Sequence, residues 1–419
     1  MEKYKILSLD GGGSWALLQA MALKAIYKDT STGTRCGDIL KQFNLIVANS
    51  GGSLMLAAMI EFIDEDIDKV INIFLNSESR NKVFSPLKWH EKNGLEYLAT
   101  LLKFGPRYKA SRKYDGLKSI LRETDSVPLC RLHEIRPGIP KNIVICGFDY
   151  DRNRAIFFRT NQDSKSQSSS SNKYEYSLTH AIHASSNAPV MFFDEPARFK
   201  IRGVAHQLWD GAVGGNNNPV LIGITEALAE LKGAERSSES LSVLSIGTGN
   251  NMLPVKGFTA INKSQHPALM KEIEASNFKS AIKTMATSIT SEPPDAANYM
   301  AHMFLGGKSA PGSEPAIIRL NPLLQPFISQ NGQEWVFPPK IDKNDHKDFV
   351  DLIALEMDAT EQKEVLQIQK LGNWWIEDKV ANQAIRLESS NLSCNIGHSD
   401  FSTAKAEWLK RSSKEEIFV

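Results

Sequence analysis

The sequence predicts a three-layer α/β/α domain around a central, mostly parallel sheet. Short apolar runs alternate with segments of helical periodicity along most of the 419 residues. One of those runs, Phe43–Ala48, is nearly all apolar, as a central parallel strand should be, and Leu241–Ile246 reads as another buried strand. Turn-forming clusters sit at the ends of the runs, and no internal repeat interrupts the alternation.

The first strand is Lys5–Leu9, ended by the breaker cluster Asp10–Gly13. A helix follows, with Leu18, Met21, Ala22, Ala25 and Ile26 on one face. The second strand, Phe43–Ala48, runs through Asn49-Ser50-Gly51-Gly52 into a helix over Leu54–Phe62. From Asp64 to about Glu134 the pattern is mostly helical, punctuated by Pro86, Gly94, Gly105 and Pro106. Strands at Asn142–Tyr150 and Ala155–Phe158 are joined by the turn Asp151-Arg152-Asn153. The serine-rich stretch Ser164–Ser171 cannot bury apolar surface and reads as a loop. Helices are expected at Ser177–Ser186 and Phe278–Ile289, strands at Leu241–Ile246 and Ala316–Leu320. A last helix, Asp358–Trp375, begins with capping-box spacing between Asp358 and Glu361.

Apolar residues make up 42% and charged residues 23%, ordinary for a globular chain with a sizeable core. A net charge of +1 argues against a nucleic-acid binder that relies on overall basicity. The cysteines, Cys36, Cys130, Cys146 and Cys394, form no CxxC pair, so neither a zinc site nor a disulfide framework is expected and a reducing cytoplasm fits. No apolar run approaches the ~20 residues of a membrane span, which makes any contact with lipid peripheral.

Three segments carry chemistry. Ala48-Asn49-Ser50-Gly51-Gly52 has the strand–turn–helix form of a nucleophile elbow, with alanine at the leading glycine position. Such a turn raises the serine hydroxyl off the sheet, and small neighbours let the backbone crowd around it. Asp10-Gly11-Gly12-Gly13 also follows a strand and opens a helix, so its amides can converge on an anion as an oxyanion hole. The same glycines satisfy a dinucleotide fingerprint formally, Gly11-x-Gly13-x-x-Ala16. That motif needs an acidic residue about 20 positions on, and the second strand ends instead in Asn49 and Ser50. The third segment, Asp210-Gly211-Ala212, is taken alone a turn or a helix-capping carboxylate.

Together, the D-G-G-G turn, the elbow about 40 residues later and the D-G-A segment resemble the patatin-like phospholipase family. His183-Ala184-Ser185-Ser186-Asn187-Ala188-Pro189, Leu244–Gly249 and Arg319-Leu320-Asn321-Pro322 are similar to further family stretches, in the family's order. The glycine loop departs from the family in continuing as Ser14-Trp15-Ala16, as the elbow does at Ala48. The resemblance implies a serine lipid acyl hydrolase of phospholipase A or lysophospholipase type. Ser50 would be the nucleophile, Asp210 its base, and Gly11, Gly12 and Gly13 the oxyanion hole. No cofactor or metal is implied. The expected partners are a phospholipid or lysophospholipid and a membrane surface, with an activating partner or ligand left open. One patatin-like domain over residues 1–385 is expected, with helical insertions at about 64–134 and 250–312 and a tail over 386–419.

Two other readings stay open at this level. One is a patatin-fold protein that binds lipid or nucleotide with little or no catalysis. The other is a Ser–Asp–His esterase, because Ser50, Asp210 and His398 occur in the chain order of an α/β-hydrolase triad. His180 and His183, three residues apart, lack an evident carboxylate partner for a metal and read as structural, and His206 has no assigned role.

Overall fold

The structure, a computed structural model, describes residues 3–88, 91, 105–161, 176–233, 236–259, 261, 263–273, 295–387 and 394–412. The expected Ser164–Ser171 loop, the expected Phe278–Ile289 helix and parts of both expected insertions lie outside them.

Strands β1 (Tyr4–Leu9), β2 (Leu45–Ala48), β3 (Asn142–Asp149), β7 (Leu241–Ile246) and β8 (Ile318–Leu320) pair in parallel and form the heart of the sheet. Strands β4 (Arg154–Arg159), β5 (Ala197–Ile201) and β6 (Val204–Asp210) extend it with antiparallel pairings. The strand order is β5-β6-β3-β2-β1-β7-β8, with β4 also paired to β3.

Successive side chains of a strand face opposite ways, and here they feed two separate cores. Ile6, Leu45, Val47 and Val144 join Val220, Ile224 and Ala227 of the helix Val220–Glu230 on one face. Leu7, Leu9, Ile46, Ala48 and Ile145 join the helices Leu17–Tyr27 (α1), Ser50–Glu61 (α2) and Gln362–Ile376 on the other. This is the three-layer arrangement the alternation predicted.

The capping box lies three residues later than its sequence expectation. Glu361 caps the last long helix with Glu364 as its partner. Asp358 is drawn elsewhere: its carboxylate accepts from Tyr108 Oη at 2.6 Å and pairs with Arg107 at 2.8 Å. Residues 401–412, within the expected tail, form a helix with Phe401, Ala404 and Trp408 buried, and Trp408 donates to the Tyr27 hydroxyl. Those three positions share a helical face, and the stripe seats the segment in the main core.

Candidate active site

The register of the sheet explains how residues 50 and 210 meet. β2 runs alongside β3 and ends with Ala48 opposite Ile145. β6 runs the other way and ends with Asp210 opposite Gly147. The opposite edge of β3 at Gly147 is already taken by β4, so β6 occupies the edge that β2 vacates. The two strands approach end to end, and the β2 chain must turn out of the sheet where Asp210 begins.

That turn is Asn49-Ser50. Asn49 is extended, and Ser50 then takes φ +47°, a left-handed conformation uncommon outside glycine and the mark of a nucleophile elbow. Ser185 Oγ accepts the Ser50 N–H at 2.9 Å, and Ser53 Oγ donates to the Ser50 carbonyl at 2.6 Å. The glycines after the serine are dictated by the neighbouring loop. A Cβ at Gly51 would lie 2.6 Å from both N and O of Gly13, and one at Gly52 would lie 2.6 Å from the Asp10 carbonyl oxygen. Ala48, fully buried, fits where the family usually has glycine.

The glycine loop packs directly on the elbow. A Cβ at Gly11 would come within 2.9 Å of Ser50 Cβ. Thr248 Oγ1 donates to the Gly11 carbonyl at 2.7 Å, which gives the Gly247-Thr248-Gly249 stretch its place. The three glycine amides expected to form the oxyanion hole differ in their bonding. The Gly11 N–H is bonded to the Asn217 carbonyl at 2.8 Å, whereas those of Gly12 and Gly13 have no acceptor among the described residues. Below the loop, Asp10 and Arg319 form a buried ion pair at 2.7 Å, and Arg319 also donates to Ser245 Oγ at 2.9 Å.

Asp210 is 2% exposed. Its N–H bonds to the Asn187 carbonyl at 3.1 Å, and its Oδ1 accepts from the Ala212 amide at 2.9 Å and from Asn49 Nδ2 at 3.0 Å. Burial raises its pKa above the ordinary aspartate value. The Ala212 amide, the Ser50 and Asn49 side chains and the Lys113 charge pull it back down. The carboxylate is therefore desolvated yet bonded, with the Ala212 amide and the Asn49 side chain as its hydrogen-bond partners.

Sequence reasoning missed four contributors. Asn49 occupied a variable motif position. Asn217 occupies the Gly11 amide. Ser185, at the end of the helix Leu178–Ser185, holds the elbow, although its stretch was recognised. Lys113 is wholly buried, donates to the His183 carbonyl at 3.0 Å and sits 4.1 Å from the centre of the Phe193 ring. Desolvation pushes its pKa far below the usual lysine value. Its signal was the stripe Ala110, Lys113, Leu117 in the helix Ala110–Ile120, which places a lysine at a core position.

Among the described residues no histidine bonds Ser50 or Asp210. His398 has Arg411, Glu407, Asp400 and Glu314 as its charged neighbours, so the triad reading finds no support in its surroundings. His206 pairs with Asp149 at 2.7 Å, and His180 serves the cap of its own helix. No cluster of three or more His, Cys, Asp or Glu suited to a metal occurs among the described residues.

Comparison with known proteins decides the family. Residues 7–224, more than half of the chain, match the Patatin-like phospholipase family. The chain belongs to it. No curated protein matches this patatin-like chain. Among solved structures it is similar to VipD from Legionella pneumophila, at 11% identity and TM-score 0.33, over 89% of this chain and 67% of that one. It is also similar to human GIVD cytosolic phospholipase A2, at 13% identity and TM-score 0.25, over 68% and 35% of the two chains. A third similarity is to the type III effector protein ExoU, at 12% identity and TM-score 0.24, over 73% and 54%. The family assignment rests on the sequence match. The patatin motifs it covers, from the glycine loop through Asp210, are the segments that converge at Ser50.

Proposed function

We propose that this patatin-like protein is a serine lipid acyl hydrolase of phospholipase A or lysophospholipase type, working through Ser50 and Asp210. The observation that carries the reading is the meeting of a left-handed serine, a dry carboxylate and two glycine amides that have no acceptor among the described residues. Ser50 Oγ attacks the ester carbonyl while Asp210 takes its proton. The Gly12 and Gly13 amides receive the oxyanion, at the mouth of the helix that Ser50 begins. The proton passes from Asp210 to the leaving alcohol oxygen as the C–O bond breaks, leaving an acyl-serine. Water, deprotonated by Asp210, attacks that ester, and the proton returns to Ser50 as the fatty acid departs. An exposed aspartate is too weak a base for this task, and burial strengthens it.

The acyl chain is assigned to the apolar cleft along α2. Ser50, Leu54 and Ala57 fall on one face of that helix, and Leu54 and Ala57 line the cleft with Phe74, Val83 and Leu117. Among the described residues no helix is long and apolar enough to cross a membrane, and we take contact with lipid to be peripheral. The proposed domain limits remain 1–385, with the helical insertions.

Hydrolysis of phosphatidylcholine vesicles and of p-nitrophenyl acyl esters tests the reading, and inertness toward every carboxylic ester would overturn it. Leu54→Trp tests the cleft. It should lower kcat/KM for a dodecanoyl ester relative to a butyryl ester by about tenfold, the worth of two buried methylenes. An unchanged ratio would move the acyl site elsewhere. Gly51→Ala drives a methyl into the Gly13 peptide, so kcat should drop by roughly 10²–10³, the usual effect of losing one oxyanion donor. Full activity in that variant would remove the glycine loop from the mechanism.

A further inference from the structure

The Asn49 side chain stands where all three motifs meet. It is fully buried, and its carboxamide lies between two glycines from different segments. A Cβ at Gly11 would lie 3.0 Å from Asn49 Nδ2, and a Cβ at Gly211 would collide with Asn49 Oδ1. The glycine of D-G-A and the first of D-G-G-G therefore both make room for this one carboxamide.

Its polar atoms are used. Nδ2 donates to Asp210 Oδ1 at 3.0 Å, and Oδ1 accepts from Ser185 Oγ at 3.5 Å, a long contact. Ser185 Oγ is itself the acceptor of the Ser50 N–H at 2.9 Å. One chain of hydrogen bonds thus runs from the backbone of Ser50, through Ser185 and Asn49, to Asp210. Asp210 Oδ1 receives both fixed donors, the Asn49 amide and the Ala212 N–H, and Oδ2 has no hydrogen-bond donor among the described residues. A side chain kept only for its shape would need none of this, because a leucine has nearly the same size.

We propose that Asn49 is a positioning residue of the Ser50–Asp210 pair, orienting the Asp210 carboxylate toward the serine hydroxyl and coupling that orientation to the elbow through Ser185. The inference rests on the reading of Ser50 and Asp210 given above. Its chemical consequence follows from the bond type. An N–H donor to a carboxylate favours the ionised form, so Asn49 opposes the burial that raises the Asp210 pKa. The other ionisable groups facing Asp210 are Lys113, from the helix Ala110–Ile120, and Cys146 of β3, with His183 facing Lys113. Lys113 works in the same direction as Asn49, and the buried thiol holds its proton, its pKa pushed up by burial.

The test is the acid limb of kcat/KM on a soluble ester, compared for wild type, Asn49→Leu and Asn49→Asp. The leucine variant should lose about tenfold in kcat with little change in KM, and its acid limb should move up by about one pH unit, the scale of one lost hydrogen bond to a charged group. Asn49→Asp keeps the shape, so it remains informative where leucine fails to fold. It sets a second carboxylate against the first and should move the limb further still. The rate of fluorophosphonate labelling of Ser50 against pH should follow the same order. An active Asn49→Asp variant whose acid limb coincides with wild type would overturn the proposal. A wild-type protein with no esterase activity would bring down the functional reading, and this inference with it.

Discussion

Ser50→Ala and Asp210→Asn should each reduce ester hydrolysis by at least about 10³-fold, with the far-UV spectrum and thermal midpoint close to wild type. The two losses arise differently. Without Ser50 no acyl-enzyme forms, and the glycine amides alone polarise the carbonyl for solvent. With asparagine at 210 the hydrogen-bonding shape is nearly kept, but the side chain cannot take a proton from the hydroxyl. Because the two act as a unit, the double variant should be no slower than either single one. The pH dependence follows from the same carboxylate. Asp210 must be ionised to act as a base, and burial holds its pKa above the ordinary value, so wild-type kcat/KM should fall as pH drops through that raised value. Hydrolysis that survives Asp210→Asn would transfer the base role to another group.

The second large effect concerns stability. Asp10 and Arg319 are an ion pair with side chains only 4% and 2% exposed, directly beneath the glycine loop. Arg319→Met should destabilise the fold by about 3–5 kcal/mol, because it leaves a buried carboxylate without its counter-charge. Asp10→Asn added to Arg319→Met should recover much of that loss. Urea titrations of the three variants measure both quantities. The sign of the pH effect can be stated. Burial pushes the Asp10 pKa up from 3.8 to about 6, with Arg319 restraining the rise. Between about pH 4 and 6 the folded state therefore holds a proton that the unfolded chain releases, and this group's contribution weakens as pH rises through that window. Without Arg319 the raised value climbs further. The deficit of Arg319→Met should then be largest above pH 6 and should shrink toward pH 4, where Asp10 is neutral. A pH-independent deficit would mean that the arginine matters for packing alone.

The motifs were legible in the sequence because they are local. An apolar run ending at Ser50, a helix beginning there and clustered glycines all follow from short-range backbone chemistry. The parallel strands were legible for the same reason, since burial on both faces leaves uninterrupted apolar runs such as Leu45–Ala48. What sequence could not supply was register. Nothing in Val204–Asp210 says that β6 meets β2 end to end along β3, yet that pairing brings residue 210 to residue 50. The resemblance supplied the conclusion without its cause. Gly11 looked like a donor equal to Gly12 and Gly13, because only the fold brings the Asn217 carbonyl against it. Asn49 was hidden for a related reason: it fills a variable position, and its side-chain hydrogen-bond partners, Asp210 and Ser185, come from segments more than a hundred residues away.

The central claim is that Ser50 becomes covalently acylated. Intact-mass spectrometry of the protein, quenched shortly after mixing with a slowly deacylating p-nitrophenyl ester, tests it most directly. The predicted result is a gain of one acyl group, located on the peptide that carries Ser50 and absent from Asp210→Asn. An acyl group on any other residue, or steady turnover by Ser50→Ala, would contradict the account.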